Sequence, residues 1–129
     1  MRDRIVGELG AELYDAYGLT ETYGPGTGTS CSHRGGTLMR DGYVYFETVD
    51  PATLETVTDG TVGGSAITTL VREGAPLVRY RIHDLTRIAT GACPCGSGHS
   101  RIDVIAGRTD ETVKVRGVNM FPAPAPSIG

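Results

Sequence analysis

The sequence predicts a mainly β fold with one N-terminal helix, and three observations carry that expectation. Glycine fills 19 of 129 positions. That is about twice its usual share of roughly 7%, with no collagen-like period. Short stretches of alternating apolar and polar residues recur between the glycines. Helical spacing of apolar residues is confined to the start of the chain.

Ile5, Leu9, Leu13 and Tyr17, with Val6 beside them, predict one short amphipathic helix from Arg4, stopped by Gly18. The following run, TETYGPGTGT at 20–29, reads as a loop because Gly24, Pro25, Gly26 and Gly28 suit neither regular structure. Tyr43, Tyr45 and Glu47 alternate with Val44, Phe46 and Val49 in a predicted strand that ends at Asp50-Pro51. Further strands are expected at Ser65 to Leu70, Leu77 to Ile82, Leu85 to Ala89, Ile102 to Ile105 and Thr112 to Val115. Asp59-Gly60, Gly74, Gly91 and Gly107 lie between them. Many short strands at this spacing predict an antiparallel barrel or sandwich. Pro122, Pro124 and Pro126 remove backbone donors, so regular structure should end near Met120, leaving a disordered tail at 123–129.

Twelve basic against fifteen acidic residues, a formal charge of −3, leave no basic face of the kind that neutralises nucleic-acid phosphates. No apolar run approaches the roughly 20 residues of a membrane span, and Met1 to Tyr14 mixes charges where a signal peptide needs an apolar middle. The expectation is a soluble, cytoplasmic protein bound to neither nucleic acid nor membrane. Three cysteines, an odd count, argue for thiols or metal ligands over a disulfide framework.

Three segments hold residues suited to chemistry. Tyr17-Gly18-Leu19-Thr20-Glu21 places a hydroxyl, a carboxylate and backbone N–H groups together, as a phosphate with magnesium would require. A connector capped by Thr20 accounts for the same pattern. Arg79-Tyr80-Arg81-Ile82-His83-Asp84 ends on a carboxylate able to accept hydrogen bonds from paired sugar hydroxyls. An exposed cross-strand ion pair is the alternative, with His83 a solvated edge residue. The third, Gly107-Arg108-Thr109-Asp110 through Lys114-Val115-Arg116-Gly117, is also what an ordinary hairpin looks like.

Taken in order, these segments resemble the phenylacetate–CoA ligase family of the adenylate-forming superfamily. The resemblance runs from about residue 5 to 122. It adds Gly24-Pro25-Gly26, Cys31, Asp50-Pro51-Ala52-Thr53, Thr68-Thr69-Leu70-Val71-Arg72-Glu73, Pro76-Leu77-Val78-Arg79-Tyr80-Arg81, Val118-Asn119 and Phe121-Pro122. It implies a β-barrel-like subdomain of a ligase that converts a carboxylic acid and ATP to an acyl-adenylate and then a CoA thioester. The implied organisation is a helix and nucleotide loop at 1–30, a barrel with a zinc knuckle at 31–107, a hinge at 108–122 and the tail. Thr20 and Glu21 would serve the ATP phosphates and magnesium as catalytic residues. Tyr17, Gly18, Thr20, Asp84, Arg108 and Lys114 would contact the nucleotide, Asp84 through the ribose. Asp110 would be the pivot of the hinge.

The family's upstream phosphate loop and downstream adenylation lysine have no counterpart in these residues, so the resemblance implies a fragment inactive by itself. The family's Gly-Glu-Leu is Gly64-Ser65-Ala66 here, and Ala-Pro-Ala-Pro follows Pro122.

Cys93-Pro94-Cys95-Gly96 is a knuckle of two thiols to which Cys31 adds a third. Zinc takes four N or S ligands, and His33, two residues after Cys31, is the expected fourth, with His99 competing. Members of the resembled family carry a structural zinc on a Cys, a His seven residues later and a Cys-x-Cys; that histidine position is Leu38 here. A small zinc-stabilised β module with a binding role is the rival expectation.

Overall fold

The computed structural model describes residues 1–110 together with the backbone of 113–115 and 118–120. Among the described residues one helix, α1 (Arg2–Leu9), precedes ten strands. These are β1 (Ala16–Leu19), β2 (Gly24–Ser30), β3 (Thr37–Met39), β4 (Val44–Val49), β5 (Gly63–Thr69), β6 (Tyr80–Thr86), β7 (Arg101–Ile102), β8 (Gly107–Arg108), β9 (Val113–Val115) and β10 (Val118–Met120). The mainly β class with a single N-terminal helix is as expected. Among the described residues, no helix is long and apolar enough to cross a membrane. The tail expected at 123–129 lies outside the described residues.

Two four-stranded antiparallel sheets run in the orders β1-β2-β3-β7 and β4-β5-β6-β8, with β9 and β10 paired in a hairpin. Met39 and Ile102 from the first sheet meet Val44, Phe46, Ile67 and Ile82 from the second, and Tyr17, Leu19, Leu77, Ile88 and Ile105 pack around them. Those six buried side chains supply the hydrophobic core, each worth about 1.5–3 kcal/mol on burial.

The helix is shorter than its apolar spacing predicts. Gly10 takes the left-handed conformation (φ 60°) and donates its N–H to Val6 O at 3.0 Å, a C-terminal cap that only glycine accommodates without strain. Tyr17 therefore belongs to β1, paired with Gly28.

The glycine-rich run expected to be a loop is largely β2. Its glycines permit close strand approach: a Cβ on Gly28 would lie 2.7 Å from Thr37 Cγ2 and 2.9 Å from Met39 Sδ. The strands expected at 77–82 and 85–89 are one strand, β6, interrupted by a bulge. Gly64 pairs with Leu85 and Ala66 with Arg81, so Ile82, His83 and Asp84 oppose Ser65 alone. His83 takes up the extra length at φ 70°, which leaves both Ile82 and Asp84 buried.

Candidate functional site

The bulge places Asp84 opposite Arg108, its register partner on β8. Directly opposed side chains share one face of a sheet, and Arg108 Nη1 donates to Asp84 Oδ1 at 3.0 Å. From the other sheet, Tyr17 Oη donates to Asp84 Oδ2 at 2.8 Å. Asp84 is 7% exposed, so these two donors stand in for water that burial takes from it. Burial, followed by the hydrogen bond to Asp84, pushes the Tyr17 phenol far above its ordinary range. The same Arg108 guanidinium forms two bonds with Asp110, Nε to Oδ1 at 2.9 Å and Nη2 to Oδ2 at 2.7 Å. That pairing holds Asp110 below the usual carboxylate range.

Beside this cluster lies a cleft of about 410 Å³ lined by Gly18, Leu19, Thr20, Glu21, Tyr80, Arg81, Ile82, His83, Arg108 and Asp110. Thr20 and Glu21 are exposed at the tip of a tight turn, closed by the Thr22 N–H and hydroxyl on Leu19 O, each at 3.1 Å. Gly18 must lack a side chain, because a Cβ there would sit 2.5 Å from Gly24 O and 2.6 Å from Pro25 Cα. Arg72 grips the turn from outside, donating to the carbonyls of Glu21 and Thr22.

Of the residues expected at the nucleotide, Gly18, Thr20, Glu21 and Arg108 line this cleft, while Asp84 and Tyr17 do not line it and adjoin it through the bond from Arg108 to Asp84. Lys114 is on β9 opposite Asn119, and its side chain lies outside the described residues. Two features had no local signal. Arg72 reaches the turn across 50 residues. His83, expected at a solvated edge, is half-buried, with Nδ1 3.0 Å from Thr109 Oγ1 and its carbonyl accepting the Thr109 N–H at 2.8 Å.

A second cluster lies at the far end of β2. The sulfurs of Cys31, Cys93 and Cys95 are all within 4.8 Å of one another, with Cys31 Sγ and Cys93 Sγ 3.6 Å apart. The backbone N–H of Cys95, then its thiol, pulls the Cys93 thiol down to about 7. The Ser97 N–H favours the Cys95 thiolate, but Cys93, burial and Cys31 outweigh it and raise that thiol. Arg101 lies against Cys93, and its Nε is buried with no partner. Among the described residues, neither His33 nor His99 joins the three thiols. The His99 imidazole Nδ1 faces Asp41 Oδ2 at 3.7 Å instead.

No protein-family model matches the chain. It is 40% identical over 123 residues to the phenylacetate-coenzyme A ligase of Thermus thermophilus, covering 95% of this chain and 28% of the relative. The Escherichia coli K12 enzyme of the same name is 39% identical over 125 residues, with the same coverage. The chain is a partial homologue of the phenylacetate–coenzyme A ligases. It spans little more than a quarter of the length of these ligases. A solved 2-hydroxyisobutyryl-CoA ligase, in the postadenylation state with an acyl-AMP, superposes with a TM-score of 0.77 at 31% identity. The match covers 93% of this chain and 26% of that one. The two-sheet fold is therefore a recurring part of CoA ligase structures.

Proposed function

We propose that the cleft beside Asp84 is the adenylate-facing part of an acid–CoA ligase of the phenylacetate–CoA ligase kind. The complete reaction would transfer the AMP portion of ATP to a carboxylic acid with release of pyrophosphate, and the thiol of CoA would then displace AMP to form the thioester. The observation that carries this reading is the buried Asp84 carboxylate, held by Tyr17 from one sheet and by Arg108, which itself lines the cleft, from the other.

A carboxylate has about four lone-pair sites. Tyr17 and Arg108 engage one on each oxygen, and the second on each is suited to the paired hydroxyls of a ribose. Because both donors hold the carboxylate still, the ribose would meet a preorganised acceptor. The Thr20 hydroxyl is suited to donate to a phosphate oxygen and, with the Arg72-braced turn, to keep the phosphates in place. Glu21 is an exposed carboxylate oxygen donor, the ligand type that magnesium takes alongside water and phosphate oxygens. Magnesium bound there would neutralise charge on the phosphates. Arg108, shared between Asp84 and Asp110, would link nucleotide occupancy to the chain around the Asp110 pivot.

The three thiols fit a zinc ion in ligand type and spacing and leave its fourth position to another donor. Tetrahedral Zn–S bonds of about 2.3 Å separate sulfurs by roughly 3.8 Å, close to the 3.6 Å between Cys31 and Cys93. The partnerless Arg101 Nε beside them suits an anionic thiolate cluster. Zinc would tie β2 to the loop before β7. This triad also favours the second reading, a metal-stabilised β module, which predicts metal-dependent folding without nucleotide contact.

Titrating AMP into the ¹⁵N-labelled chain tests the first reading. Amide shifts at Thr20, Glu21, His83 and Arg108 are expected. Saturable binding with shifts confined elsewhere, or no binding by the folded chain, would contradict it.

A further inference from the structure

The same three thiols carry a second chemistry that needs neither metal nor nucleotide. We propose that they form a peroxide-sensitive modification site in which Cys31 and Cys93 pass reversibly to a disulfide, leaving Cys95 as the thiol. All three cysteines are free. The Cys31 and Cys93 sulfurs are in van der Waals contact at 3.6 Å, and a disulfide of about 2.05 Å needs them to close by roughly 1.5 Å. Both sit outside the strands: Cys31 directly follows β2, and Cys93 opens the knuckle turn closed by the Gly96 N–H on Cys93 O at 2.9 Å.

Cys95 is the most exposed of the three thiols, so the 3.6 Å contact selects the Cys31–Cys93 pair, and within that pair accessibility orders the steps. Cys31 is partly exposed, whereas Cys93 is 5% exposed and backed by the Arg101 guanidinium. Hydrogen peroxide oxidises the Cys31 sulfur to a sulfenic acid, and one peroxide oxygen leaves as water. The Cys93 sulfur then attacks the sulfenic sulfur, forming the S–S bond and expelling the second oxygen as water. Two thiols and one peroxide become one disulfide and two waters. A Cys93–Cys95 bond would instead close a short, stiff ring within one turn, where chain closure is strained.

The new bond would span 62 residues and pin the end of β2 to the loop before β7, the strands flanking β3. A metal ion and this disulfide would need the same sulfurs, so the oxidation is specific to the metal-free chain.

The test treats metal-free, reduced protein with equimolar hydrogen peroxide, alkylates it and maps its peptides. The expected product is a monomer with Cys31 linked to Cys93, Cys95 alkylated, and full reversal by dithiothreitol. Cys95→Ser should form the same link, and Cys93→Ser should stop at a dimedone-trappable sulfenic acid on Cys31. A Cys93–Cys95 link, a disulfide between chains, or sulfinic and sulfonic acids without any Cys31–Cys93 link would overturn the proposal. The wild-type map decides even if a variant fails to fold. Failure here would leave the nucleotide reading untouched, since no cleft residue takes part.

Discussion

The Tyr17 hydroxyl donates to Asp84 Oδ2 at 2.8 Å across 67 residues of sequence. It joins β1 of one sheet to β6 of the other, and Arg108 completes the arrangement from β8. A buried carboxylate held between two donors is stable only while both remain, because leaving a buried charged group short of a partner costs more than its bond contributes.

Tyr17→Phe should therefore destabilise the chain by about 1–3 kcal/mol, removing one donor from Asp84 while keeping the ring in the core. Urea unfolding of the two proteins measures this. A change near zero would mean that solvent replaces the hydroxyl.

The pH dependence follows from the same pair. The Tyr17 phenol is raised in the folded chain. Its contribution to stability is thus complete below the ordinary phenol value of about 10 and is lost as pH rises toward the folded value. In an alkaline titration followed by phenolate absorbance, Tyr17→Phe should remove the step at highest pH. Asp110 is depressed, so its contribution holds above the ordinary value of about 3.9 and is lost as pH falls through the folded one.

Gly18→Ala should cost about 1–3 kcal/mol, since its Cβ would press on Gly24 and Pro25 backbone that cannot rotate away. Gly42→Ala, with no atom within 4 Å of its Cβ and no positive φ, is the matched control and should be nearly neutral. Equal thermal midpoints for the two variants would remove the packing argument for Gly18.

Where local pattern and tertiary packing agree, the sequence is legible. Val44–Val49 and Gly63–Thr69 are strands close to their expected bounds. Leu13 and Tyr17 continue the helical spacing, yet the Gly10 cap ends the helix and pairing with β2 recruits Tyr17. Glycine-rich β2 defeats propensity because its strand state depends on close approach by Thr37 and Met39, which no local window contains. The bulge at His83 split one strand into two expected ones. At the cleft, the residue types were legible through motif resemblance. The Arg72 grip and the His83–Thr109 contact arise only through space.

The thiol triad should bind one zinc per chain with a rise in thermal midpoint, and Cys93→Ser should abolish both. His99→Ala should leave binding intact, because that imidazole faces Asp41. Elemental analysis after zinc loading and desalting measures the stoichiometry. Loss of zinc on His99→Ala would require the loop to rearrange toward the thiols.

Calorimetric titration of AMP into wild type, Asp84→Asn and Asp103→Ala tests the central claim most directly. Asp84→Asn keeps the side-chain volume and the Tyr17 contact while removing the charge that would receive the ribose. Asp103 pairs with Arg87 at the surface, outside the cleft. Affinity should fall about tenfold or more, roughly 1.4 kcal/mol, for Asp84→Asn and stay near wild type for Asp103→Ala. Equal losses in the two variants, or unchanged affinity in Asp84→Asn, would contradict the assignment of Asp84 to the nucleotide.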